Sequence, residues 1–425
     1  MPEFLQLLPP NTARELLLSN LASTAPLTEL VDTQSALGRV TSEPIIAPHS
    51  LPEFPRSTVD GYAVRARDTF GATDAQPAYL TLIGEISMGQ AADLGLGPGE
   101  CALIHTGGML PNQADAVVMV EHTQTVSYGQ GSMQSHGEIE VLKATAAGEN
   151  TIATGEDVAA GSEVIPAGKR IRPAEIGGLM ALGITRINVA RKPHVGLISS
   201  GDEVVPPSDR PKPGQVRDVN AFTLASLIEK YGGAPIQYGI VPDDRLLLRE
   251  ATAKALAECE AVIVTAGSSA STRDMTAEVI DSLGAPGVLV HGVNTRPGKP
   301  TILGACEGKA VIGLPGNPVS ALVNGYLFVA PVIERLLALS GEEIRPSVTA
   351  QLTVNLASQA GREDWWPVRL LPLTPATSQA ATWKAEPIFG KSNLIFTLAA
   401  ADGLLRIAPD ATGLAAGEFV EVFLL

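Results

Sequence analysis

The segment RPGKP places two cations around a tight turn. Arg296 and Lys299 lie three residues apart, and Pro297 and Pro300 limit the freedom of the loop around Gly298. A guanidinium binds a tetrahedral oxyanion or a phosphate through its planar fork, and an ammonium binds it as a point charge. The sequence therefore predicts an anion site at this loop, with a solvated turn as the alternative.

The segment LPGNPVS combines several signals for the start of a helix. Gly316 follows Pro315 and permits an unusual backbone angle. Asn317 is a favourable N-cap, and Pro318 suits the first helical position. Unpaired N–H groups in the first turn of such a helix can bind a phosphate or an oxyanion. The segment predicts either an anion-binding helix start or simply a well-capped helix.

A third segment, AGSSASTRD, connects a predicted strand to a predicted helix. The hydroxyl and N–H groups of Gly267, Ser268 and Ser269 could cradle a phosphate. Asp274 at the end of the segment could bind a divalent metal. In the alternative interpretation, Asp274 or Thr272 only caps the next helix.

Several acids lie in predicted turns. Glu203 belongs to SSGDEV, where it follows Ser200 and Gly201. Asp243 belongs to VPDD, and Asp157 belongs to GED. Carboxylates bind metals or transfer protons together only where they converge, and solvated turn acids are the alternative.

Two further polar residues lie beside glycines in the first half of the chain. Asp60 precedes Gly61 in DGYAVR, and Thr106 begins the glycine turn of HTGG. Taken alone, these two segments predict a turn before a strand and a strand end.

Strands alternate with helices from His194 onward. Apolar runs such as VGLISS, PIQYGIV, AVIVTAG and KAVIGLP predict strands. Helices are predicted at 220–231, at 244–257, at 275–283 and after Asn317. The alternation predicts a three-layer α/β domain around a largely parallel sheet. Ligands gather at the carboxyl ends of the strands in such a sheet, and the loops after VGLISS, PIQYGIV, AVIVTAG and KAVIGLP lie there.

The two ends of the chain carry other patterns. An amphipathic segment at 12–22 predicts a helix capped by Asn11 or Thr12. From there to about Arg191, segments such as YLTLIGEI, GECALIHTG, DAVVMVEHT and GEIEVLKA predict a β-rich module. Beyond about Arg345, segments such as WWPVRLL, GLLRIAP and FVEVFLL predict a small terminal β domain.

Composition bounds the class of protein. The 425 residues exceed one ordinary core, and 45% apolar with 18% charged residues fit a globular chain of several domains. A net charge of −15 argues against nucleic acid or an anionic membrane as the main partner. An anionic substrate would therefore require cations that are concentrated locally.

The location expected from the sequence is the cytoplasm. The three cysteines lie far apart, which fits a reducing compartment, and the N-terminus lacks a secretory signal pattern. The most apolar late stretch, from Tyr326, is interrupted by Glu334 and Arg335, too early for a membrane span. We expect a soluble protein.

The order of the segments carries more information than any one of them. DGYAVR, HTGG, AVVMVEHT, GED, SSGDEV, RDVNAF, the GSS loop, PGKP and LPGNPVSA occur in this order along the chain. From about residue 10 to its end the chain closely resembles the MoeA family of molybdopterin molybdotransferases, to which the catalytic domain of gephyrin-type proteins also belongs. The resemblance implies a homodimer and, in each subunit, an N-terminal helix with an extended linker at 1–50 and 150–190, a β-rich insertion domain at 51–149, a molybdopterin-binding α/β domain at 191–340 and a C-terminal β-barrel-like domain at 341–425.

The resemblance also implies a reaction. In the family, molybdate enters the dithiolene of adenylylated molybdopterin, AMP leaves, and Mg²⁺ or a similar ion assists. The site lies between the α/β domain of one subunit and the β-rich region of the other. The matching positions linked to activity are Asp60, Thr106, Asp157, Glu203, Asp243 and Asp274, of which Asp243 and Asp274 would hold the metal ion.

The same resemblance assigns substrate-binding positions. Arg362 and Ser392 match C-terminal positions that help to hold molybdate. The complete set expected to bind the substrates is Ser200, Gly201, Gly267, Ser268, Ser269, Arg296, Pro297, Gly298, Lys299, Pro300, Pro315, Gly316, Asn317, Pro318, Arg362 and Ser392.

The chain departs from the commonest family pattern in two loops. GSSASTRD replaces a loop that usually reads GGVS followed by Gly and acids. NTRPGKP replaces a version with additional lysines, one of which falls here on uncharged Gly292. Both departures leave open whether molybdate or tungstate is inserted.

Other functions compete with insertion of the metal. A non-catalytic scaffold or carrier could use the same fold, but the retained acids, hydroxyls and anion loops favour chemistry. A pterin adenylyltransferase uses a related α/β domain, but the β-rich first half and the terminal β domain favour insertion. The expected partners are the pterin adenylyltransferase and downstream cofactor-handling proteins, with neither nucleic acid nor membrane.

Overall fold

The first half of the chain runs out along an extended arm and returns. The computed structural model describes residues 7–23, 25–126, 137–266, 270–341, 345–373 and 383–425, with the backbone alone at 270–273. The helices and strands of this half, in chain order, are α1 Pro10–Ser19, β1 Thr28–Asp32, β2 Ile45–Ile46, β3 Arg56–Ser57, β4 Gly61–Val64, β5 Ala78–Ile86, β6 Glu100–Ile104, β7 Ala116–Met119, β8 Thr123–Val126, β9 Glu138–Val141, β10 Thr151–Ile152, β11 Glu163–Ile165, α2 Pro173–Ala181 and β12 Arg186–Ala190.

Three antiparallel pairs, nested one inside another, form the arm. β1 pairs with β12, β2 with β11 and β3 with β10, so the outgoing and returning segments hold each other. Beyond the innermost pair lies a six-stranded sheet in the order β7-β4-β6-β5-β9-β8, in which only β5 and β6 are parallel. The predicted β-rich module is confirmed. The segment DAVVMVEHT contains β7 and a 3₁₀ turn, and its last residue is the first of β8.

Helix α1 starts earlier than predicted. It begins at Pro10 with Pro9 as N-cap, so the predicted cap at Asn11 or Thr12 was wrong. Proline suits the first helical position because its missing N–H would have no intrahelical partner there. The buried face of α1, with Ala13 and Leu17, packs into the core of the α/β domain.

The second part of the chain forms a mixed sheet with helices on both faces. Its elements are β13 His194–Ser200, β14 Val204–Val205, β15 Val216–Arg217, α3 Asn220–Lys230, β16 Ala234–Val241, α4 Arg245–Glu258, β17 Ala261–Ala266, α5 Ala270–Asp281, β18 Pro286–His291, β19 Thr295–Arg296, β20 Ile302–Cys306, β21 Lys309–Pro315, α6 Pro318–Asn324 and α7 Ala330–Leu336. A π-helical turn at Gly325–Val329 joins α6 to α7 without a break.

The sheet order is β16-β13-β17-β21-β20-β18. The first four strands are parallel, and β20 and β18 are antiparallel to their neighbours. Helices α1, α3, α6 and α7 share one apolar core with the sheet, and α4 and α5 share the core on the other face. The predicted three-layer α/β domain is therefore confirmed.

Two helices of this domain differ from simple expectation. Helix α5 begins at Ala270, five residues before the predicted start at Met275. The sequence pattern did not indicate this start because Ser and Thr in the first turn resemble a loop. The continuous helix Pro318–Leu336 is long and apolar enough to cross a membrane, but 72% of it is buried inside the protein. Its apolar surface is therefore explained by the core that it forms with the sheet.

The C-terminal part closes into a barrel. Its elements are β22 Ser347–Leu352, β23 Leu356–Ala357, β24 Glu363–Pro372, β25 Trp383–Pro387, α8 Phe396–Ala399, β26 Gly403–Ile407, β27 Gly413–Leu414 and β28 Phe419–Leu424. The strands pair in the order β24-β25-β22-β28-β26, and β26 returns to β24. The predicted barrel-like domain is confirmed, and β19 from the α/β domain adds to it as an extra strand beside β24.

Candidate active site

The predicted anion loop, residues 295–300, is attached to the barrel through its first two residues. Strand β19 runs parallel to β24, with Thr295 opposite Glu363 and Arg296 opposite Asp364. The Thr295 hydroxyl donates to the Glu363 carbonyl at 3.2 Å, and the Glu363 N–H donates to the Asn294 carbonyl at 3.1 Å. Successive residues of β24 point to opposite faces, so Asp364 lies on the side of the anion loop and Glu363 on the other.

A single buried carboxylate orients two arginines. Asp364 is fully buried and accepts two hydrogen bonds from Arg362, from Nε at 2.6 Å and from Nη2 at 2.9 Å. Nη1 of Arg296 lies 3.8 Å from the same carboxylate, and its guanidinium lies 5.3 Å above the ring of Trp366. A buried charge is tolerated only where it is paired, so Asp364 requires these cations and fixes their direction.

The two arginines line a cleft that we call the cationic cleft. It has a volume of about 700 Å³ and lies between the anion loop, the start of α6 and the barrel. Among the described residues that line it there is no Asp or Glu, and the charged members are Arg296, Lys299, Arg362 and Lys391. Lys299 and Lys391 are exposed and form no ion pair within the described ranges. In a chain of net charge −15, this cleft is a local concentration of cations.

The backbone of the anion loop is held from below by Asn324. This residue is fully buried in α6, and its Nδ2 donates to the Pro297 carbonyl at 3.1 Å and to the Ser320 carbonyl at 2.8 Å. Gly298 has a φ of +106°, and a Cβ there would lie 1.7 Å from Asn324 Nδ2. Glycine at this position therefore serves both an unusual backbone angle and a close approach.

The LPGNP segment lies where the cleft reaches the α/β domain. Asn317 is the N-cap residue of α6, but its side chain makes no capping hydrogen bond and lines the cleft instead. The Val319 N–H donates to the Ser392 carbonyl at 3.0 Å. One first-turn amide that could have held an anion thus fixes the 390–393 loop, which carries Ser392 and Lys391 into the cleft.

A second cleft of about 610 Å³ adjoins the first at the carboxyl ends of β13 and β17. We call it the sheet-edge cleft. Asn317 and Asn393 line both clefts, so the two form one continuous surface. The residues of the sheet-edge cleft that were predicted to bind substrate or act in catalysis are Ser200, Glu203, Gly316, Asn317 and Pro318.

Asp218 and Asn220 contribute to this cleft and were not predicted as site residues. Asp218 is buried and accepts hydrogen bonds from the Ser199 hydroxyl at 2.6 Å and from the Ala221 N–H at 3.1 Å. Asn220 donates through Nδ2 to the Gly316 carbonyl at 2.9 Å and so joins two loops of the cleft. Their segment, RDVNAF, carries a usable signal in the sequence, an Asp two residues before an Asn at a helix start.

Lys391 and Trp366 were missed as well. Lys391 stands in GKSN, beside the predicted Ser392, and adds the fourth cation to the cleft. Trp366 supplies the ring under Arg296. The sequence held no signal for Trp366, because its role depends on a strand pairing between distant segments.

The acids proposed for a metal site are only partly brought together. Asp243 accepts a hydrogen bond from the Ser200 hydroxyl at 3.0 Å, and its own N–H donates to Asp202 at 3.2 Å. Asp274 lies exposed on the second turn of α5 rather than in a loop, since that helix starts early. Within the described residues, no group of three or more His, Cys, Asp or Glu side chains could hold a metal ion. The predicted residues Gly267, Ser268 and Ser269 lie outside the described ranges.

Three predicted catalytic residues lie in the arm and line neither cleft. Asp60 accepts hydrogen bonds from the Thr106 N–H at 2.8 Å and from its hydroxyl at 3.2 Å. The Thr106 N–H is the main reason that the pKa of Asp60 is lowered, so this carboxylate is ionised at neutral pH. Asp157 lies at a separate small cavity beside Glu175. Asp60 and Thr106 thus form a pair, distant in sequence from the residues of the clefts.

Comparison with known proteins covers nearly the whole chain. Residues 8–183 match the family model described as MoeA N-terminal region (domain I and II). Residues 196–335 match the model described as "Probable molybdopterin binding domain", and residues 349–425 match MoeA C-terminal region (domain IV).

Individual proteins that resemble the chain carry names from the same family. The chain is 34% identical to the molybdopterin molybdenumtransferase of Nostoc sp., with 74% of this chain and 70% of that protein covered. It is 32% identical to molybdopterin molybdenumtransferase 2 of Mycobacterium tuberculosis, with 94% of each covered. The crystal structure of the molybdopterin biosynthesis moeA protein from Pyrococcus horikoshii OT3 superposes with a TM-score of 0.83 at 32% identity, over 99% of this chain and 100% of that chain.

The contact between Gly298 and Asn324 generates a prediction about the anion loop. Gly298→Ala should lower the free energy of unfolding by more than about 2 kcal/mol, because the new Cβ overlaps Asn324 and φ is positive. Asn324→Ala should cost about 1–3 kcal/mol through the carbonyls left unpaired. The double variant should cost less than the sum by at least about 1 kcal/mol, since the second substitution removes the overlap. Denaturant unfolding of the four proteins measures this coupling, and strict additivity would mean that the two residues do not touch.

Proposed function

We propose that this chain, which belongs to the MoeA family and is a molybdopterin molybdenumtransferase, binds its two substrates in the two adjoining clefts. Molybdate occupies the cationic cleft. Adenylylated molybdopterin lies along the sheet-edge cleft, with its dithiolene towards Asn317 and Asn393, the residues that line both clefts. In this arrangement the two sulfurs displace two oxygens of the oxyanion, which leave as water, and hydrolysis of the phosphoanhydride bond releases AMP.

The observation that carries this proposal is the charge of the cationic cleft. A doubly charged oxyanion and an anionic dithiolene repel each other, and two unit charges about 4 Å apart interact by roughly 4 kcal/mol near a protein surface. Four cations without a lining carboxylate offset this repulsion. The Asp364 carboxylate, behind Arg296 and Arg362, keeps both guanidinium groups aimed without occupying the cleft.

The sheet-edge cleft supplies polar groups for the pterin and its phosphates. It stands at the carboxyl ends of parallel strands, where α/β domains bind ligands. Asp218 and the hydroxyls of Ser199, Ser200 and Thr265 line it. Because the Ala221 N–H and the Ser199 hydroxyl hold the Asp218 carboxylate, its orientation is set before a ligand arrives.

Mg²⁺ fits the loops after β13 and β16 only together with the substrate. Magnesium is usually held by one or two carboxylates, substrate phosphate oxygens and water. Asp202 and Asp243, linked by the Asp243 N–H and next to Ser200, are two such carboxylates. When bound, the ion would neutralise phosphate charge, and Asp243 with Asp202 would hold it. Asp274, the other predicted ligand, stays a proposal because no described contact joins it to them.

The predicted catalytic residues of the first half of the chain lie apart from both clefts. Asp60 and Thr106 form a hydrogen-bonded pair that lines neither cleft of its own chain. We propose a homodimer in which each site combines the clefts of one subunit with Asp60, Thr106 and Asp157 of the other. The same proposal includes a cytoplasmic location, a pterin adenylyltransferase that supplies the substrate, and proteins that take up the product.

The first prediction from the proposed function tests the reaction itself. Purified protein given adenylylated molybdopterin should release AMP only when an oxyanion and a divalent cation are both present. The reason is that the oxyanion binds in the cationic cleft and the cation binds the carboxylates of Asp202 and Asp243. Parallel assays with molybdate and tungstate determine the metal preference. Full AMP release in excess chelator without an oxyanion would contradict the proposed insertion reaction.

The second prediction concerns Lys299. Lys299→Ala should raise the molybdate concentration needed for half-maximal AMP release about 10- to 100-fold, because a charge-assisted hydrogen bond contributes roughly 1.5–3 kcal/mol. Its unfolding free energy should change by less than about 0.5 kcal/mol, as for other exposed loop residues. Lys192→Ala, another exposed lysine outside both clefts, is the matched control. An unchanged molybdate dependence would remove Lys299 from the site.

The third prediction tests the shared site. Asp60→Ala and Lys299→Ala chains should each be impaired alone, because one lacks the arm carboxylate and the other lacks a cleft cation. After subunit exchange, mixed dimers should regain activity, since one of their two sites is intact. Mass spectrometry of differently tagged chains verifies the exchange. A verified heterodimer as impaired as its parents would mean that the site is complete within one chain.

A further inference from the structure

A second basic groove lies on the opposite face of strand β24. It has a volume of about 540 Å³ and is bounded by α1, α7 and the barrel. We call it the Arg14 groove and define it by Arg14, Arg335, Arg345, Arg406, Trp365 and Phe423. Because adjacent residues of β24 alternate, Asp364 serves the cationic cleft while Glu363 faces this groove.

The charge of the groove is unbalanced. Glu363 is buried and already saturated, since it accepts two hydrogen bonds from Arg406, at 2.6 and 2.9 Å, and one from Trp365 Nε1, at 2.8 Å. Arg14, Arg335 and Arg345 form no ion pair within the described ranges. The groove is lined by four arginines and by two carboxylates, those of Glu334 and Glu363, so its charge is still positive in an acidic protein. Guanidinium groups are the preferred partners of phosphate.

The inner end of the groove is aromatic. It continues into an apolar cavity of about 280 Å³, and Leu327, Arg345, Trp365 and Phe423 line both spaces. The rings of Trp365 and Phe423 lie 5.7 Å apart and are tilted by 53°. The side chain of Trp365 is fixed by its hydrogen bond to Glu363. A flat apolar group could insert here while a charged group stays among the arginines.

We propose that the Arg14 groove is a binding site for an aromatic organic phosphate, in addition to the molybdate and pterin clefts. Among the described lining residues it shares Trp365 with the cationic cleft and none with the sheet-edge cleft. The phosphate lies among Arg14, Arg335 and Arg345, and the aromatic body packs against Trp365 and Phe423. A phosphate alone would leave the apolar cavity empty, and an apolar molecule alone would leave the positive charge of the groove uncompensated. The proposal stands apart from the assignment of the two substrate clefts.

The test uses simple probes on the full-length protein. Phenyl phosphate, inorganic phosphate and phenol are titrated by calorimetry, first without molybdate and then with molybdate added as a competitor. Phenyl phosphate should bind at least tenfold more tightly than either of the other two. Arg14→Gln with Arg345→Gln should weaken it at least tenfold, and Arg335→Gln alone should weaken it severalfold. Phe423→Leu should weaken phenyl phosphate but leave inorganic phosphate unchanged.

Controls separate this site from a general effect of charge. Arg67→Gln removes an exposed arginine far along the chain from the groove and should change nothing. Each variant's unfolding free energy is measured, and Arg335→Gln, an exposed position, provides the test if the double variant is destabilised. Equal affinity for phenyl phosphate and inorganic phosphate, displacement by molybdate, or insensitivity to the three arginine substitutions would each overturn the proposal.

Discussion

The site depends on one constraint: the buried carboxylate of Asp364 must be neutralised. Its partners come from two parts of the chain, Arg362 from the barrel and Arg296 from the loop of the α/β domain. The pairing of β19 with β24 puts both within reach of the carboxylate. Breaking a buried ion pair by removing one partner typically costs about 3–5 kcal/mol. Asp364 therefore links the position of the barrel to the geometry of the anion loop.

The same strand separates two environments. Asp364 and Trp366 lie on the side of the cationic cleft, whereas Glu363 lines the Arg14 groove and Trp365 lines both spaces. On each face a buried acid fixes an arginine without presenting its own charge to solvent. An acidic chain can in this way keep locally positive clefts, because the compensating carboxylates lie behind the guanidinium groups. The net charge of −15 includes these cations, so the rest of the protein carries a still more negative charge.

Much of this architecture could be predicted from the sequence, since it follows from local periodicity. The apolar runs of β13, β17 and β21 and the helix after Asn317 were found in place because buried parallel strands and amphipathic helices have distinct patterns. The start of α5 was missed because Ser and Thr in its first turns resemble a loop. The sequence predicted the loops that line the clefts one by one, but it did not predict how they lie together. Pairing of β19 with β24 joins residues 295 and 363, and no local pattern encodes that register.

The arm carries predicted catalytic residues whose place in a site does not follow from one chain alone. Its nested pairs β1–β12, β2–β11 and β3–β10 hold the outgoing and returning segments together, so the distal sheet is carried as an insertion. Asp60 and Thr106 are preorganised there, with a carboxylate kept ionised by a backbone N–H, yet the pair lines neither cleft of its chain. The contacts described for the carboxylate of Asp60 are those to Thr106 and to His105, at 3.7 Å, and neither residue lines a cleft. We therefore propose that one chain provides two half-sites and that the arm of one subunit reaches the clefts of another.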